Sequence, residues 1–169
     1  MAHLAGLKDI HRGERAFIIG NGPSLKQTDL GRLKGEFTFG LNRIYLLFPE
    51  LGFGTTYFVA VNDLVIQQCR DDIATLPMPK FLSWHSHRFF SPGSPPATFL
   101  YTTYDNPAFA RDVRNRVWES ATVTYVALQL AFHMGFAQVI LVGVDHHSNV
   151  AGKANTTIVS AGDDPNHFH

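Results

Sequence analysis

The chain has 169 residues, in which 14 lysines and arginines balance 14 aspartates and glutamates, and this length predicts one domain with a sizeable core. The zero net charge excludes the broad basic surface that general nucleic-acid binding requires, so no nucleic-acid partner is expected. The single cysteine, Cys69, excludes an internal disulfide and favours a reducing compartment, which predicts a cytoplasmic protein.

In chain order, short apolar and β-branched runs alternate with helical patterns. This alternation predicts a single doubly wound, mainly parallel α/β domain of Rossmann-like type over residues 1–169. The five main strands are predicted at residues 16–20, 36–42, 55–61, 80–84 and 138–143. Helices are predicted at residues 28–35, 43–48, 63–76, 106–118 and 121–134. The last strand is apolar on both faces, which predicts a central position in the sheet.

Local signals predict where several helices begin and end. Thr28 or Asp29 is expected to cap the first helix, and Pro49 is expected to end the second. Asn106 and Pro107 form a typical cap and first-turn proline, so they predict the start of the helix that runs through residue 118.

Two regions depart from the regular alternation. Residues 90–118 include the proline-rich "SPGSPP", and we predict a lid or insertion there, with a short strand at residues 98–103. Residues 146–169 are predicted to form an irregular polar tail that ends in "GDDPNHFH". Because no closing helix or strand follows, we expect the chain to be a fragment of a longer protein. The sequence does not decide between a monomer and a homo-oligomer.

The apolar segment Tyr125–Val144 is almost long enough to span a bilayer. Gln129, His133, Gly135 and Gln138 interrupt it. This pattern predicts a buried helix, a turn and a buried strand, so no transmembrane segment is expected.

Polar side chains follow each of the five predicted strands. In an open α/β sheet, ligands bind beyond the carboxyl ends of the strands. Any one such residue is more often a plain turn residue, but the five positions together favour a shared ligand site. The residues that follow the strands are Asn21, Asn42, Asn62, Asp63, Ser83, His85 and Asp145.

The first of these turns, "GNGPSL", has the features of an anion-binding turn. Gly20 and Gly22 allow the backbone to approach a ligand, and Pro23 suits the first turn of a helix. The free N–H groups of Ser24 and Leu25, with the Ser24 hydroxyl, are predicted to bind an anion without a formal charge. The turn lacks the lysine of a P-loop and the third glycine of a dinucleotide fingerprint, so a plain tight turn remains the alternative.

The strings "GNGPSL", "LNRIY", "VAVND" and "GFAQVILVGVD", in this order, form a recognisable set. They resemble the bacterial sialyltransferases of glycosyltransferase family 42. They are at least as similar to a broad family of unknown function that includes the archaeal 6-hydroxymethylpterin diphosphokinase. The resemblance covers residues 16–145 and implies a nucleotide-binding Rossmann-like domain.

The resemblance implies that the first turn contacts nucleotide phosphate and ribose, and that later asparagines face the nucleotide and the donor. Gly20 and Asp63 join this set through their positions at strand ends. The nucleotide-binding residues predicted in this way are Gly20, Asn21, Gly22, Ser24, Asn42, Asn62, Asp63, Thr122, Gly143 and Asp145.

The sequence also departs from the sialyltransferase pattern. Ser120 and Val123 stand where that family has an arginine and a serine that hold sialic acid. His147 and Lys153 stand near the places of its two tyrosines, and the family's general base lies beyond the end of this chain. The resemblance therefore supports a nucleotide site more strongly than sialic acid as the donor.

A glycosyltransferase with a nucleotide-sugar donor and a small-molecule or glycan acceptor is the function we favour from the sequence. Its site must stabilise the leaving phosphate, and a histidine has a suitable ordinary pKa for the general base. The candidate catalytic histidines are His85, His146, His147 and His167, although a solvated loop histidine is the commoner case.

Two alternatives stay open at this point. A diphosphokinase would use ATP and Mg²⁺, for which Asp145, Asp163 and Asp164 are candidate ligands. Mg²⁺ is the one cofactor that this alternative requires, and the favoured function implies none with certainty. A non-catalytic nucleotide-binding module, or an incomplete fragment, is the second alternative.

Overall fold

The computed structural model describes residues 2–91, 97–105, 107–120 and 122–145. The helices are α1 (Ala2–Gly6), α2 (Phe48–Leu51), α3 (Asp63–Thr75) and α4 (Val123–His133). The strands are β1 (Arg15–Ile19), β2 (Phe37–Leu41), β3 (Tyr57–Ala60), β4 (Lys80–Ser83), β5 (Thr98–Leu100), β6 (Thr102–Thr103), β7 (Val117–Trp118) and β8 (Gln138–Val142). Short 3₁₀ helices cover Pro23–Gln27, Leu30–Leu33, Ile44–Leu47 and Trp84–Phe89.

Six of the strands form one parallel sheet in the order β5-β4-β3-β2-β1-β8. Every residue of β3 and β4 is buried, because helical segments cover both faces of the sheet. On one face, α4 and Leu4 of α1 join the core with Phe39 and Val59. On the other face, Ile66 and Ile73 of α3 pack against β3 and β4. The predicted single-domain, Rossmann-like α/β fold is confirmed.

The order of the strands places a topological switch point between β1 and β8. From β1 the chain moves in one direction through β2, β3, β4 and β5, and it then returns to the other side of β1. In open α/β sheets, the crevice for a ligand lies at such a point, beyond the carboxyl ends of the strands. The turns that follow β1 and β8 are therefore the first place to look for a site.

The predicted central position of the last strand is wrong. β8 pairs with β1 alone among the strands described, so it lies at an edge of this sheet. Val139 and Val142 pack against the two core layers, whereas Leu141 is 47% exposed. A strand that is apolar on both faces can lie at the edge of a sheet as well as at its centre, so this pattern does not give the number of neighbouring strands.

The predicted helix over residues 106–118 is also wrong. Residues 107–116 contain no helix, and β7 follows them as a partner of β6. The amide of Gln129 on α4 replaces the missing helical hydrogen bonds. Its Oε1 accepts from the backbone N–H groups of Ala110 and Trp118 at 2.9 and 3.2 Å, and its Nε2 donates to the Trp118 carbonyl at 2.7 Å.

Several predicted helices are shorter or tighter than expected. The predicted helix at residues 28–35 is the 3₁₀ helix Leu30–Leu33, which Asp29 precedes without a side-chain capping bond. Pro49 does not end the second helix, because it lies in the first turn of α2, where a missing N–H costs nothing.

The apolar segment that ends at Val144 is divided into a helix, a turn and a strand as predicted, but the strand is half-buried or exposed and not buried. α4 ends at His133, Gly135 reverses the chain with a φ of +87°, and β8 begins at Gln138. Within the described ranges, no helix has the length and apolar character needed to cross a membrane.

Replacing Gln129 should destabilise the fold. Gln129 is fully buried, so Gln129→Leu would leave the backbone groups at residues 110 and 118 unpaired in the interior. We expect a loss of about 2–4 kcal/mol in the free energy of unfolding. Urea denaturation of this variant and of the exposed control Gln68→Leu would measure the difference. Equal stability of the two variants would contradict this role.

Candidate functional site

The turns that follow β1 and β8, residues 20–24 and 143–145, pack directly against each other; we call them the paired turns. The Gly20 N–H donates to the Val142 carbonyl at 2.8 Å, and the Gly22 N–H donates to the Gly143 carbonyl at 2.8 Å. A Cβ atom on Gly20 would lie 2.3 Å from the Gly143 oxygen. The glycines of the first turn are thus required by the packing of the protein itself.

Asp145 occupies the hydrogen-bond donors that the sequence predicted for a phosphate. Its Oδ2 accepts from the Ser24 N–H at 2.8 Å, and its Oδ1 accepts from the Ser24 hydroxyl at 2.6 Å. Both hydrogen bonds lower the pKa of the Asp145 carboxyl, and the bond from the Ser24 hydroxyl has the larger effect. The predicted anion-binding turn therefore binds a carboxylate of its own chain in this structure.

Asn21 lies in the first of the paired turns, Asn42 follows β2 directly, and both have unused acceptors. Asn21 donates from Nδ2 to the Leu41 carbonyl at 2.9 Å, which ties the first turn to the end of β2. The Oδ1 atoms of both asparagines are buried and have no hydrogen-bond partner among the described residues. Buried polar atoms are rarely left unpaired, so these two oxygens are unusual features of this edge of the sheet. Three other buried atoms, Thr55 Oγ1, Thr102 Oγ1 and His133 Nδ1, are also unpaired within the described ranges.

Beyond Asn42 lies a pocket of about 250 Å³, which we call the strand-end pocket. It is situated where β2, β3 and β7 end and α4 begins. This volume is below the roughly 300–1,000 Å³ of drug-sized ligand sites, so it suits one ring-sized group. The residues that line it are Asn42, Val61, Asn62, Tyr104, Glu119, Ser120, Thr122 and Val123.

Two residues of the strand-end pocket have a left-handed backbone although neither is glycine. The φ angle of Asn42 is 50°, and that of Ser120 is 55°. Such conformations cost about 1–3 kcal/mol each and cluster at ligand sites, where the surrounding structure holds them. Their convergence on one pocket supports a functional role for it.

Glu119 is a residue of this pocket that the sequence analysis missed. It is 3% exposed and follows β7 directly. A hydrogen bond to Glu119, then burial and the charges of Glu119 and Asp63, raise the pKa of Tyr104 to about 12. Glu119 follows a strand directly, so the search for polar residues at strand ends applies to it. Because the sequence predicts a helix over residues 106–118, it does not predict β7, and Glu119 is not recognised as a strand-end residue.

The other predicted residues near the pocket have structural partners of their own. The Asn62 Oδ1 caps α3 by accepting from the N–H groups of residues 64 and 65, and Thr122 caps α4 through the N–H of residue 124. Asp63 accepts hydrogen bonds from the Ser83 hydroxyl and from Arg88, both at 3.0 Å. Asn62 and Thr122 line the strand-end pocket, whereas Asp63 does not.

The predicted histidines and metal ligands are not gathered at this site. His85 is exposed on the 3₁₀ helix Trp84–Phe89 and does not line the pocket. The remaining candidates, which are His146, His147, Lys153, Asp163, Asp164 and His167, lie outside the described residues. Across the described ranges, no three metal-ligating side chains come together, and the Asp145 oxygens both accept from Ser24.

Three larger grooves are described. Two of them, of about 630 and 700 Å³, lie at the β5 edge of the sheet, share His3, Ala97 and Thr98 and have mainly apolar walls. The third, of about 450 Å³, is lined by residues from 25–31 and 47–51. None of the three contains a left-handed residue or an unpaired amide oxygen. The strand-end pocket is the better candidate because polar side chains from several strands converge there.

Removing the Ser24 hydroxyl should raise the pKa of Asp145. A carboxyl with a lowered folded-state pKa stabilises the fold above its ordinary pKa, and this contribution disappears as the pH falls through the folded-state value. The stability lost in Ser24→Ala should therefore be largest near neutral pH and small in acid. Carbon NMR titration of Asp145 in this variant, with the exposed Ser91→Ala as control, measures the shift. An unchanged Asp145 pKa would disprove the link.

Comparisons with known proteins extend the description of the fold. No protein-family model matches the sequence, and no curated protein matches it. Among solved structures, the chain is similar to the MAf glycosyltransferase from Magnetospirillum magneticum AMB-1, with a TM-score of 0.57 and 15% identity. The similarity covers 92% of this chain and 28% of that one, so this chain spans little more than a quarter of its neighbour. A glycosyltransferase thus shares this α/β fold, whereas no family model supports the finer resemblance to sialyltransferases or to the diphosphokinase.

Proposed function

We propose that the protein is a glycosyltransferase that uses a nucleotide-sugar donor. The observation that carries this proposal is the pair of buried, unpartnered amide oxygens, Asn21 Oδ1 and Asn42 Oδ1, at the carboxyl ends of the neighbouring strands β1 and β2. Sugar and ribose hydroxyl groups are donors of the kind that such oxygens accept. The fold shared with a glycosyltransferase adds support.

The size of the strand-end pocket indicates which part of the donor it would hold. A volume of about 250 Å³ suits a single sugar ring and is too small for a whole nucleotide sugar. The nucleotide would then lie outside the pocket, along the line from Asn42 to Asn21 and the paired turns. Ser24 holds the Asp145 carboxylate at the end of this line, where it could accept from ribose hydroxyls.

Transfer would proceed by attack of an acceptor hydroxyl oxygen on the anomeric carbon. The bond from that carbon to the phosphate oxygen breaks, the nucleotide leaves with the electron pair, and a base takes the acceptor proton. Hydrogen-bond donors around the leaving phosphate would lower the barrier to this step. The candidate bases remain the histidines predicted from the sequence.

A panel of nucleotides tests the proposal. We expect thermal stabilisation by CMP, UDP or GDP, or by their sugar conjugates, without added metal. Stabilisation by ATP only in the presence of Mg²⁺ would favour the diphosphokinase instead. If no nucleotide raises the melting temperature, the protein is neither enzyme.

The variant Asn42→Gly tests the amide oxygen directly. Glycine removes the side chain and tolerates the left-handed backbone at this position. The loss of one neutral hydrogen bond should weaken the best nucleotide sugar about 3- to 10-fold in calorimetric titration. Asp9→Gly is the matched control, because Asp9 also has a positive φ and lies outside the site. Equal affinity in both variants would remove Asn42 from the binding site.

A further inference from the structure

We infer that the acceptor of the transfer is a glycan, and that a groove beside the strand-end pocket binds it through the ring of Trp84. This groove is the one of about 700 Å³ at the β5 edge of the sheet, and we call it the aromatic groove. The inference rests on the proposed function, because the pocket would hold the donor sugar and the groove the acceptor. It follows from the exposed rings of the groove, from the polar groups beside them and from the connection between groove and pocket.

Trp84 and Tyr101 line the aromatic groove directly beyond the carboxyl ends of β4 and β5. Ser83 pairs with Leu100 in the sheet, so Trp84 and Tyr101 are the next residues along two neighbouring strands. Their side chains are 51% and 61% exposed. A single exposed ring needs no explanation, but two large exposed rings in one groove are typical of a binding surface.

The neighbours of Trp84 hold its ring in a fixed orientation. His87 stacks on it with the ring centroids 4.6 Å apart, and the His87 Nδ1 donates to the Trp84 carbonyl at 2.7 Å. Phe99 meets the Trp84 and His87 rings edge-on, at centroid distances of 6.3 and 6.4 Å. Within the described ranges, the second face of the indole has no aromatic partner. A ring that is already held in place loses little conformational entropy when a ligand packs on it.

The chemistry of the aromatic groove fits a sugar ring. One face of a pyranose presents C–H groups, which the negative face of an indole attracts. The hydroxyl groups at the edge of the sugar need hydrogen-bond partners, and Arg114 and Asn115 line the same groove. Asp112 holds the Arg114 guanidinium through its Nε at 2.9 Å, and further N–H groups of the guanidinium are left for a sugar hydroxyl. The groove thus combines an aromatic face with polar groups, as a sugar requires.

The aromatic groove is connected to the strand-end pocket. The ion pair of Asp63 with Arg88 lies between them, because Asp63 accepts from the hydroxyl of the residue before Trp84 and its charge acts on Tyr104 of the pocket. Tyr101 of the groove and Tyr104 are separated only by the two residues of β6. At about 3.3 Å per residue, their backbones lie about 10 Å apart, a distance that a short oligosaccharide spans. A glycan that stacks on Trp84 can therefore present a terminal hydroxyl group to the pocket.

Neutral trisaccharides test the inference. Cellotriose, chitotriose and maltotriose would each be titrated into the wild-type chain by calorimetry, up to about 10 mM, with a tryptic digest of casein as the peptide comparison. We expect at least one trisaccharide to bind with a dissociation constant of about 0.1–5 mM, and the peptides not to bind. In the variant Trp118→Phe, Trp84 is the sole tryptophan, and its fluorescence should change during the same titration.

The variant Trp84→Ala should weaken the best trisaccharide about tenfold, and Tyr101→Ala about threefold. Phe132→Ala is the matched control, because Phe132 is 50% exposed on α4 and lines neither the groove nor the pocket. It should leave the affinity unchanged. A melting curve establishes that each variant is folded, and Tyr101→Ala tests the groove if Trp84→Ala does not fold.

The inference is overturned if no trisaccharide binds, or if the folded groove variants bind as tightly as the wild type. It is also overturned if the casein peptides change the Trp84 fluorescence and the trisaccharides do not, because the groove is then a polypeptide site. These titrations contain no nucleotide, so their failure leaves nucleotide binding, and the proposed function, intact. Failure of every nucleotide to bind is a different result, which removes the proposed function and with it the role of the glycan as acceptor.

Discussion

The hydrogen bonds of one buried amide, that of Gln129, hold together the part of the molecule on which the strand-end pocket depends. Residues 107–116 have no helix or strand of their own, yet their backbone runs against the core. The Gln129 amide forms hydrogen bonds with backbone groups of residues 110 and 118, and these bonds attach the segment to α4. Because Glu119 and Ser120 follow this segment, the same interaction brings a buried carboxyl group and a left-handed residue to the ends of β2 and β3.

A second constraint acts at the switch point, where the turns after β1 and β8 approach each other without room for side chains. A Cβ atom on Gly20 or Gly22 would lie 2.3 Å from an atom of the other turn, and one on Gly143 would lie 2.3 Å from the side chain of Leu25. Ser24 then joins the turns through Asp145. The strings "GNGPSL" and "GVD" thus encode a packing interaction first, and any ligand contact is built on it.

The sequence was sufficient to predict the fold, because strands that are buried on both faces leave continuous apolar runs such as "YFVA". It also predicted that Asn42 and Asn62 meet at one edge, since parallel strands end on the same side of a sheet. The edge position of β8 could not be predicted, because the apolar pattern of a strand does not show how many strands lie beside it. Asn106 and Pro107 are typical of the start of a helix. The backbone N–H of Ala110 nevertheless bonds to the distant Gln129 side chain, and no helix forms over residues 107–116.

The two acidic residues of the site have different surroundings. Asp145 is exposed and accepts two hydrogen bonds from Ser24, so solvent and local donors stabilise its charge. Glu119 is buried in the lining of the strand-end pocket, beside Tyr104, whose pKa is raised. The well-hydrated acidic group thus lies at the paired turns, whereas the poorly hydrated one lines the pocket.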